Sequence, residues 1–169
     1  RLCMVVMTRI MGGLCAALVL LSLTPTRAAA SERRLALAEA VAVPTSSPIV
    51  LDGKFNEEIW QRATPIGDFL QREPAEGEPA SMRTEARVAY DASNIYIAVR
   101  AYDTDPSRIV GILTRRDQRS PSDWIRIVVD SYFDRRSGYE FGVNPVGVKT
   151  DRYYFNDGQS DDSWDAVWD

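Results

Sequence analysis

The 169-residue sequence contains no histidine. This absence excludes Ser-His-Asp and Cys-His catalysis, and it removes the ligand on which many protein zinc sites depend. The sequence also has neither a G-x-x-x-x-G-K nor a G-x-G-x-x-G motif, so it gives no support for a phosphate-cradling loop. Common routes to nucleophilic catalysis and nucleotide binding are therefore missing.

Cysteine is scarce and confined to one end of the chain. The two cysteines, Cys3 and Cys15, both lie within residues 1–30, and residues 31–169 contain none. If residues 1–30 are removed, no disulfide can stabilise the remainder, which must rely on a hydrophobic core that its length is sufficient to build.

Residues 1–30 have the pattern of a secretory leader. Arg9 precedes an apolar run from about Ile10 to Leu23, and Ala28–Ala30 then supply the small side chains that a signal peptidase requires. The run is shorter than the roughly 20 apolar residues of a comfortable membrane span. The pattern predicts a signal peptide over 1–30 and export across the inner membrane to the periplasm, the outer membrane or the extracellular space, with an uncleaved anchor as the alternative.

The charge balance argues against nucleic acid as a partner. Residues 1–30 hold three arginines and no acid, so the predicted mature chain has 17 basic and 24 acidic residues and a formal net charge of −7. A chain of this charge repels phosphate backbones and anionic lipids.

The mature chain divides into a linker and one domain. Residues 31–48 are alanine-rich and then broken by prolines, which is typical of a linker, and the domain is predicted over 49–169. Ile49 and Leu51 suit a short strand before an Asp-Gly turn.

One helical turn is expected next. Asn56 is a plausible N-cap for this turn, because the two acids after it favour a helix N-terminus. Trp60 is expected to anchor the core.

Alternating apolar and polar residues dominate the rest of the domain. Strands are predicted over 84–91, 95–103, 123–130, 139–144 and 149–155, with a further candidate at 109–117 and an acidic loop at 156–163. The first two surround an Asp/Asn turn and predict a β-hairpin. The pattern predicts an all-β fold, an antiparallel, jelly-roll-like β-sandwich, and we expect it to be incomplete at its C-terminal end.

Four segments carry a family resemblance. In order, they are "IVLDGKFNEEIW", "VAYDASNIYIAVRAYDTDP", "SDWIRIVVDSYFD" and "YEFGVNPVGVKTD". Together, across about residues 48–168, they resemble the family-9 carbohydrate-binding modules. The similarity is greater to the version of that β-sandwich at the N-terminus of large bacterial envelope proteins, where an outer-membrane-type β-rich region follows.

The resemblance implies non-catalytic binding of a polysaccharide or oligosaccharide by aromatic side chains. It also implies that structural calcium is possible, and it links the chain to polysaccharide catabolism. One departure concerns the sugar clamp of the xylanase modules. The position of one clamp tryptophan falls near Ser120, and that of the second falls beyond Asp169, so the clamp does not transfer residue by residue.

Trp124 and Arg126 are the principal candidates for a binding site. Alternation directs Ile125, Ile127 and Val129 to one face of the strand and this pair to the other. A tryptophan ring can stack on a sugar, and an arginine can hydrogen-bond hydroxyls or a uronate carboxylate. The alternative is a face covered by a loop or by the segment that we expect to be missing at the C-terminal end.

Further candidates lie close to this pair in the sequence. Arg116 and Asp117 end the 109–117 segment, and their alternative is a surface ion pair, in which Arg116 and Asp123 pin the loop that presents the tryptophan. Asn144 has the donors and the acceptor that suit sugar hydroxyls, and it equally suits a turn before a proline.

Three functions compete at this point. The first is a carbohydrate-binding domain of a secreted or envelope protein. The second is a structural or docking domain for a downstream β-rich region, with no glycan ligand. The third is a glycoside hydrolase using two carboxylates, but no acid pair is marked out by its surroundings in the sequence, and a catalytic domain would more readily lie in a C-terminal continuation. The acids of 156–165 favour a solvated loop over a calcium site, because their spacing does not match an EF-hand.

Overall fold

The structure, a computed structural model, describes the backbone of Leu2–Val5 and all of residues 39–169. The rest of the predicted signal peptide and residues 31–38 of the predicted linker lie outside the described residues. Every element below belongs to the same compact unit.

The described elements are eight strands, one α-helix and one 3₁₀ turn. In chain order they are β1 (Leu2–Val5), β2 (Ala42–Pro44), α1 (Glu58–Arg62), β3 (Thr84–Tyr90), β4 (Ile95–Ala101), a 3₁₀ turn (Pro106–Arg108), β5 (Ile125–Val129), β6 (Gly138–Val143), β7 (Lys149–Phe155) and β8 (Gln159–Asp161). The prediction of an all-β fold is confirmed, because strands dominate and the helix is a little over one turn long. Within the described residues, no helix has the length and apolar character needed to cross a membrane.

The larger sheet has five strands in the order β1-β5-β6-β7-β8, all antiparallel to their neighbours. Its first strand, Leu2–Val5, comes from the segment interpreted as a signal peptide. In the register, Arg126 lies opposite Gly142, which lies opposite Thr150. The next row consists of Ile127, Phe141 and Asp151. Since neighbouring residues of a strand point to opposite sides, these two rows belong to opposite faces of the sheet.

The smaller sheet has three strands in the order β2-β3-β4. Its β3–β4 pair is the predicted hairpin, which is confirmed. β2 runs parallel to β3, with Val43 opposite Ala89. The sheet therefore begins inside the stretch 31–48 that the sequence suggested as a linker.

The core next to this sheet is built around α1. Ile59, Trp60 and Ala89 are buried together, with Phe55 packed against them, and Trp60 is 4% exposed. The predicted role of Trp60 as a core anchor is confirmed. The helix N-cap, however, is Glu57 rather than Asn56, and its side chain makes no capping bond to the helix.

Two predicted strands are absent because side-chain oxygens accept hydrogen bonds from the backbone N–H groups that would otherwise pair with a neighbouring strand. Near Ile49 and Leu51, the backbone N–H of Val50 donates to the Glu57 carboxylate at 3.1 Å.

In the 109–117 segment, the N–H of Val110 donates to the Asp123 carboxylate at 2.9 Å, and the N–H of Ile112 donates to the Ser122 hydroxyl at 2.8 Å. The predicted acidic loop, by contrast, contains the short strand β8, which pairs with β7.

Candidate functional site

One side of the larger sheet, which we call the arginine face, is formed by alternate residues of β5, β6 and β7, and three of these residues are charged. Its residues are Arg126, Val128, Glu140, Gly142, Thr150, Arg152 and Tyr154. Trp124 lies just before β5, and the guanidinium carbon of Arg126 lies over its ring at 5.8 Å from the ring centre, which is a cation–π contact. The two principal sequence candidates are therefore neighbours.

Trp124 is half-buried, and its ring is held by the loop before it. The indole nitrogen donates a hydrogen bond to the backbone carbonyl of Ser120 at 3.1 Å. The Ser120 hydroxyl in turn lies 2.7 Å from that of Ser122. Because the indole N–H is the only hydrogen-bonding group of the ring, the part of Trp124 that reaches solvent is apolar surface in a fixed orientation.

Arg126 is partly buried and lacks an acidic partner. Within the described part of the chain its guanidinium makes neither an ion pair nor a hydrogen bond, and its Nε is buried without a partner. Burial lowers the pKa of Arg126, and repulsion from Arg119 lowers it further. The side chain is thus a partly desolvated cation with unused donors.

The neighbouring arginines do have acidic partners. Arg119 donates to the Glu140 carboxylate at 3.2 Å, and Arg152 donates to Asp162 at 2.8 Å. Glu140 is 4% exposed, and its second oxygen accepts a hydrogen bond from the Tyr154 hydroxyl at 2.8 Å. The face therefore gathers three guanidinium groups against two carboxylates.

Gly142 lets two side chains converge at the centre of this face. A Cβ at this position would lie 2.5 Å from the Thr150 hydroxyl oxygen and 3.5 Å from the Cγ of Arg126. Like the Nε of Arg126, the Thr150 hydroxyl is buried without a hydrogen-bond partner among the described residues. Two unpartnered polar atoms thus occupy one row of the sheet.

Arg116 lies elsewhere. Its guanidinium binds the carboxylate of Asp151, whose side chain is fully buried and points to the face opposite Arg126. Arg116 also donates to the backbone carbonyl of Ala166 at 2.7 Å and lies 2.9 Å from the carboxylate of Asp165. It therefore fastens the C-terminal segment to the sheet.

The expected pairing of Arg116 with Asp123 is wrong. The Asp123 carboxylate is instead occupied by the backbone N–H of Val110. Asp117 lies beside β7, where its carboxylate accepts a hydrogen bond from the backbone N–H of Asp151 at 3.2 Å. The structure does not bring Arg116 or Asp117 to the arginine face.

Asn144 holds a turn from inside the protein. It is 5% exposed, and its side-chain oxygen accepts hydrogen bonds from the backbone N–H groups of Val146 and Val148. Its side-chain nitrogen donates to the carbonyl of Ile112 at 3.0 Å and approaches the Ser122 hydroxyl at 3.4 Å. The turn interpretation is confirmed, and these bonds use the donors and the acceptor that a sugar would need.

The acids near the C-terminal end are mostly tied to other side chains. Asp157 binds Arg136 at 3.1 Å, Asp162 binds Arg152, and Asp161 accepts a hydrogen bond from the Ser163 hydroxyl. Across residues 39–169, no group of three or more His, Cys, Asp or Glu side chains is arranged to hold a metal ion.

A cleft of about 430 Å³ lies beside β3, away from the predicted site. It is lined by Pro65, Phe69, Pro79, Met82, Arg83 and Glu85. Arg83 is ion-paired with Glu85 and lies 4.9 Å from the ring of Tyr102, so its charge is already neutralised.

Sequence reasoning missed Glu140, Arg152, Arg119 and Thr150. The first two could have been assigned to one face by alternation within β6 and β7, but which face they share with Arg126 depends on strand register. Arg119 lies in a loop, and no periodic signal marks it.

The described geometry thus combines a fixed aromatic ring with an unpaired guanidinium on one face of a β-sheet, supported by two ion-paired arginines. Comparison of the chain with protein-family models, with curated proteins and with solved structures finds no match.

Proposed function

We propose that the chain is a non-catalytic carbohydrate-binding domain of a secreted or envelope protein, and that Trp124 and Arg126 form its binding site. The observation that carries this proposal is the fixed ring of Trp124 in contact with the guanidinium of Arg126, which lies over it and makes no ion pair or hydrogen bond among the described residues. The ring can stack on the C–H face of a sugar, and the guanidinium can donate hydrogen bonds to its oxygens. Because the loop already orients the ring, less side-chain ordering is needed on binding.

The sequence supports the same proposal. The four segments that resemble family-9 modules fit a binding domain, and the leader pattern fits delivery to the cell envelope or beyond. A parent protein that acts in polysaccharide catabolism would use such a domain to stay close to its substrate.

The proposal assigns no catalysis to this chain. The two buried acids that are most distinctive, Glu140 and Asp151, lie on opposite faces of the larger sheet and are each bound to an arginine. A glycosidase needs two carboxylates that flank one glycosidic bond, with one of them free to exchange a proton. These two cannot flank the same bond.

Affinity electrophoresis of the full chain in gels containing xylan, cellulose derivatives or pectin tests the proposal. The wild-type protein should be retarded in at least one gel, Trp124→Ala should run faster there, and Trp124→Phe should keep most of the retardation. Tyr132→Ala, which removes a 71% exposed aromatic ring elsewhere, should behave as wild type. Lack of retardation in every gel would reject the function, and unchanged mobility of Trp124→Ala would reject the site.

A docking domain is the second candidate, and one surface favours it. The side chains of Ile109, Val110, Ile112, Leu113 and Val146 are large, apolar and exposed, with Leu113 reaching 79%. Such patches often mark protein–protein contacts. If this function holds, the chain should co-purify with a separately expressed downstream region, and Leu113→Gln should weaken that association without altering glycan binding.

A further inference from the structure

We infer that the arginine face selects an acidic sugar, a uronate whose carboxylate pairs with the terminal nitrogens of Arg126 while its ring stacks on Trp124. This inference rests on the proposed function and names the class of glycan. It begins from the difference between Arg126 and its two arginine neighbours.

Each neighbour has its own acid, whereas Arg126 has none. Arg119 is paired with Glu140 and Arg152 with Asp162, while Arg126 makes no ion pair within the described residues. A partly buried cation near two like charges is unfavourable unless an anion offsets it. The pKa of Arg126 is lowered by burial first and by repulsion from Arg119 second, and the attraction of the nearby Glu140 offsets these effects only in part. A ligand carboxylate would supply the missing charge.

The end of the guanidinium has the geometry that suits a carboxylate. Because Nε is buried, a ligand reaches the end of the group, where two parallel N–H donors can meet two carboxylate oxygens. Sugar hydroxyls can accept hydrogen bonds from the same two donors, but they carry no negative charge to offset the guanidinium. Geometry and charge together therefore favour a planar anion with two oxygens over a neutral sugar.

The position of Trp124 selects a sugar acid over other anions. A uronate carries its carboxylate on the edge of a pyranose ring, so one residue can stack an apolar C–H face and present an anion beside it. The 5.8 Å between the tryptophan ring and the guanidinium carbon is compatible with one monosaccharide that touches both. An inorganic phosphate could pair with the guanidinium of Arg126, but it has no apolar face to stack on the ring of Trp124.

Polyphosphates and nucleic acids fit less well. Among the described residues, one guanidinium of the face lacks an ion pair, the carboxylates of Glu140 and Asp162 lie close by, and the whole chain has a net charge of −4. Binding of a densely charged polymer needs several free cations along its path. A ligand that presents one carboxylate to the arginine face matches its one guanidinium without an ion pair.

Isothermal titration calorimetry of the full chain with trigalacturonate and with its methyl ester tests the inference. The two ligands share a ring and differ in whether the carboxylate is free, so the comparison needs no mutation. We expect the free acid to bind at least roughly tenfold more tightly, as a charge-assisted pair implies. The difference in affinity between the acid and the ester should become smaller as the salt concentration is raised.

Variants then assign the difference to Arg126. Arg126→Met should bring the acid and the ester to similar affinity, and Arg126→Lys should retain part of the preference because it keeps the charge and loses the paired donors. Arg62→Met removes an exposed arginine from α1 and should leave the affinity for both ligands unchanged. Circular dichroism verifies folding, and the ester comparison on wild-type protein stands even if Arg126→Met does not fold.

The outcomes separate the inference from the proposed function. If neutral xylo-oligosaccharides or the ester bind as well as the acid, the preference for uronates is overturned while carbohydrate binding stands. If trigalacturonate, its ester and neutral oligosaccharides all fail to bind, both the inference and the proposed carbohydrate-binding function are rejected. A preference for the acid that survives in Arg126→Met would also overturn the inference, since another cation would then be responsible.

Discussion

The indole nitrogen of Trp168 donates a hydrogen bond to the buried carboxylate of Asp151 over 3.0 Å. Arg116 binds the same carboxylate and also the carbonyl of Ala166. The ring of Trp168 meanwhile packs edge-on against Phe141 at 5.5 Å. One buried acid thus holds the segment after β8 over the face of the sheet opposite the arginine face.

Trp168→Phe should lower the free energy of unfolding by about 1–2 kcal/mol, because a hydrogen bond to a buried charged group is lost while an aromatic ring remains. Urea denaturation followed by circular dichroism measures the change. Trp164→Phe is the matched control. Trp164 packs on Tyr139 at 4.8 Å, and within residues 39–169 its indole nitrogen makes no hydrogen bond. Equal losses in the two variants would contradict the role given to Asp151.

Gly142→Ala should destabilise the larger sheet. The added methyl group would meet the Thr150 hydroxyl at 2.5 Å, so that side chain must move, and it would come into ordinary contact with the stem of Arg126 at 3.5 Å. Such overpacking costs roughly 1–3 kcal/mol, and a thermal melt should report it as a lower Tm. In Gly67→Ala, the nearest atom to the new methyl group would be 4.0 Å away, so that variant should melt close to wild type. An unchanged Tm for Gly142→Ala would mean that the row is loosely packed.

The Asp91 turn should make the hairpin sensitive to acid. Backbone N–H groups of Ser93 and Asn94 and the hydroxyl of Tyr96 donate to this carboxylate. These bonds, that from Ser93 foremost, lower the pKa of Asp91 from 3.8 to about 2. Since the folded pKa is lower than the unfolded one, the stabilisation is complete above about pH 3.8 and is lost as the pH falls through about 2.

Thermal melts of wild type and Asp91→Asn at several pH values between 5 and 2 test this linkage. The wild-type protein should have the higher Tm at pH 5, and the gap should narrow towards pH 2 as the wild-type carboxyl takes up its proton. A gap that stays constant over this range would show that the charge of Asp91 contributes nothing.

Local patterns were sufficient for much of the fold. Alternation on both sides of an Asp/Asn turn predicted the β3–β4 hairpin, and alternation also located β5, β6 and β7. The segment at 109–117 has the same apolar character, yet it is not a strand. Its backbone donors are taken by Asp123 and Ser122, which lie about ten residues away along the chain. The periodicity of apolar residues contains no information about such hydrogen bonds between side chains and the backbone.

The candidate site was predictable only in part. Alternation put Trp124 and Arg126 on one side of a strand, but it could not say that Gly142 and Thr150 would lie in the same row as Arg126, because register depends on strand pairing. Alternation also could not predict that Arg116 lies away from Trp124 and Arg126. Arg116 is eight residues before Trp124 in the sequence, but it binds a carboxylate on the opposite face of the sheet.

Glu140→Gln should increase the affinity of the arginine face for an acidic sugar. Glu140 neutralises Arg119 and lies near Arg126, so its replacement by a neutral amide leaves three guanidinium groups with the carboxylate of Asp162 alone. The amide keeps the volume and can still accept from Tyr154. Calorimetry with trigalacturonate should show binding a few-fold tighter at low salt, with little change for its methyl ester.

The same variant should be less stable than wild type, because the three arginines repel one another when no ligand is present. Adding trigalacturonate should therefore raise the Tm of Glu140→Gln more than that of wild type, since at the same concentration a ligand with a lower Kd stabilises the folded state more. Arg136→Gln, which breaks an exposed ion pair with Asp157 in another loop, serves as the control and should respond to the ligand as wild type does. An affinity for trigalacturonate that is unchanged or weaker in Glu140→Gln would mean that the charge balance of this face does not govern its choice of ligand.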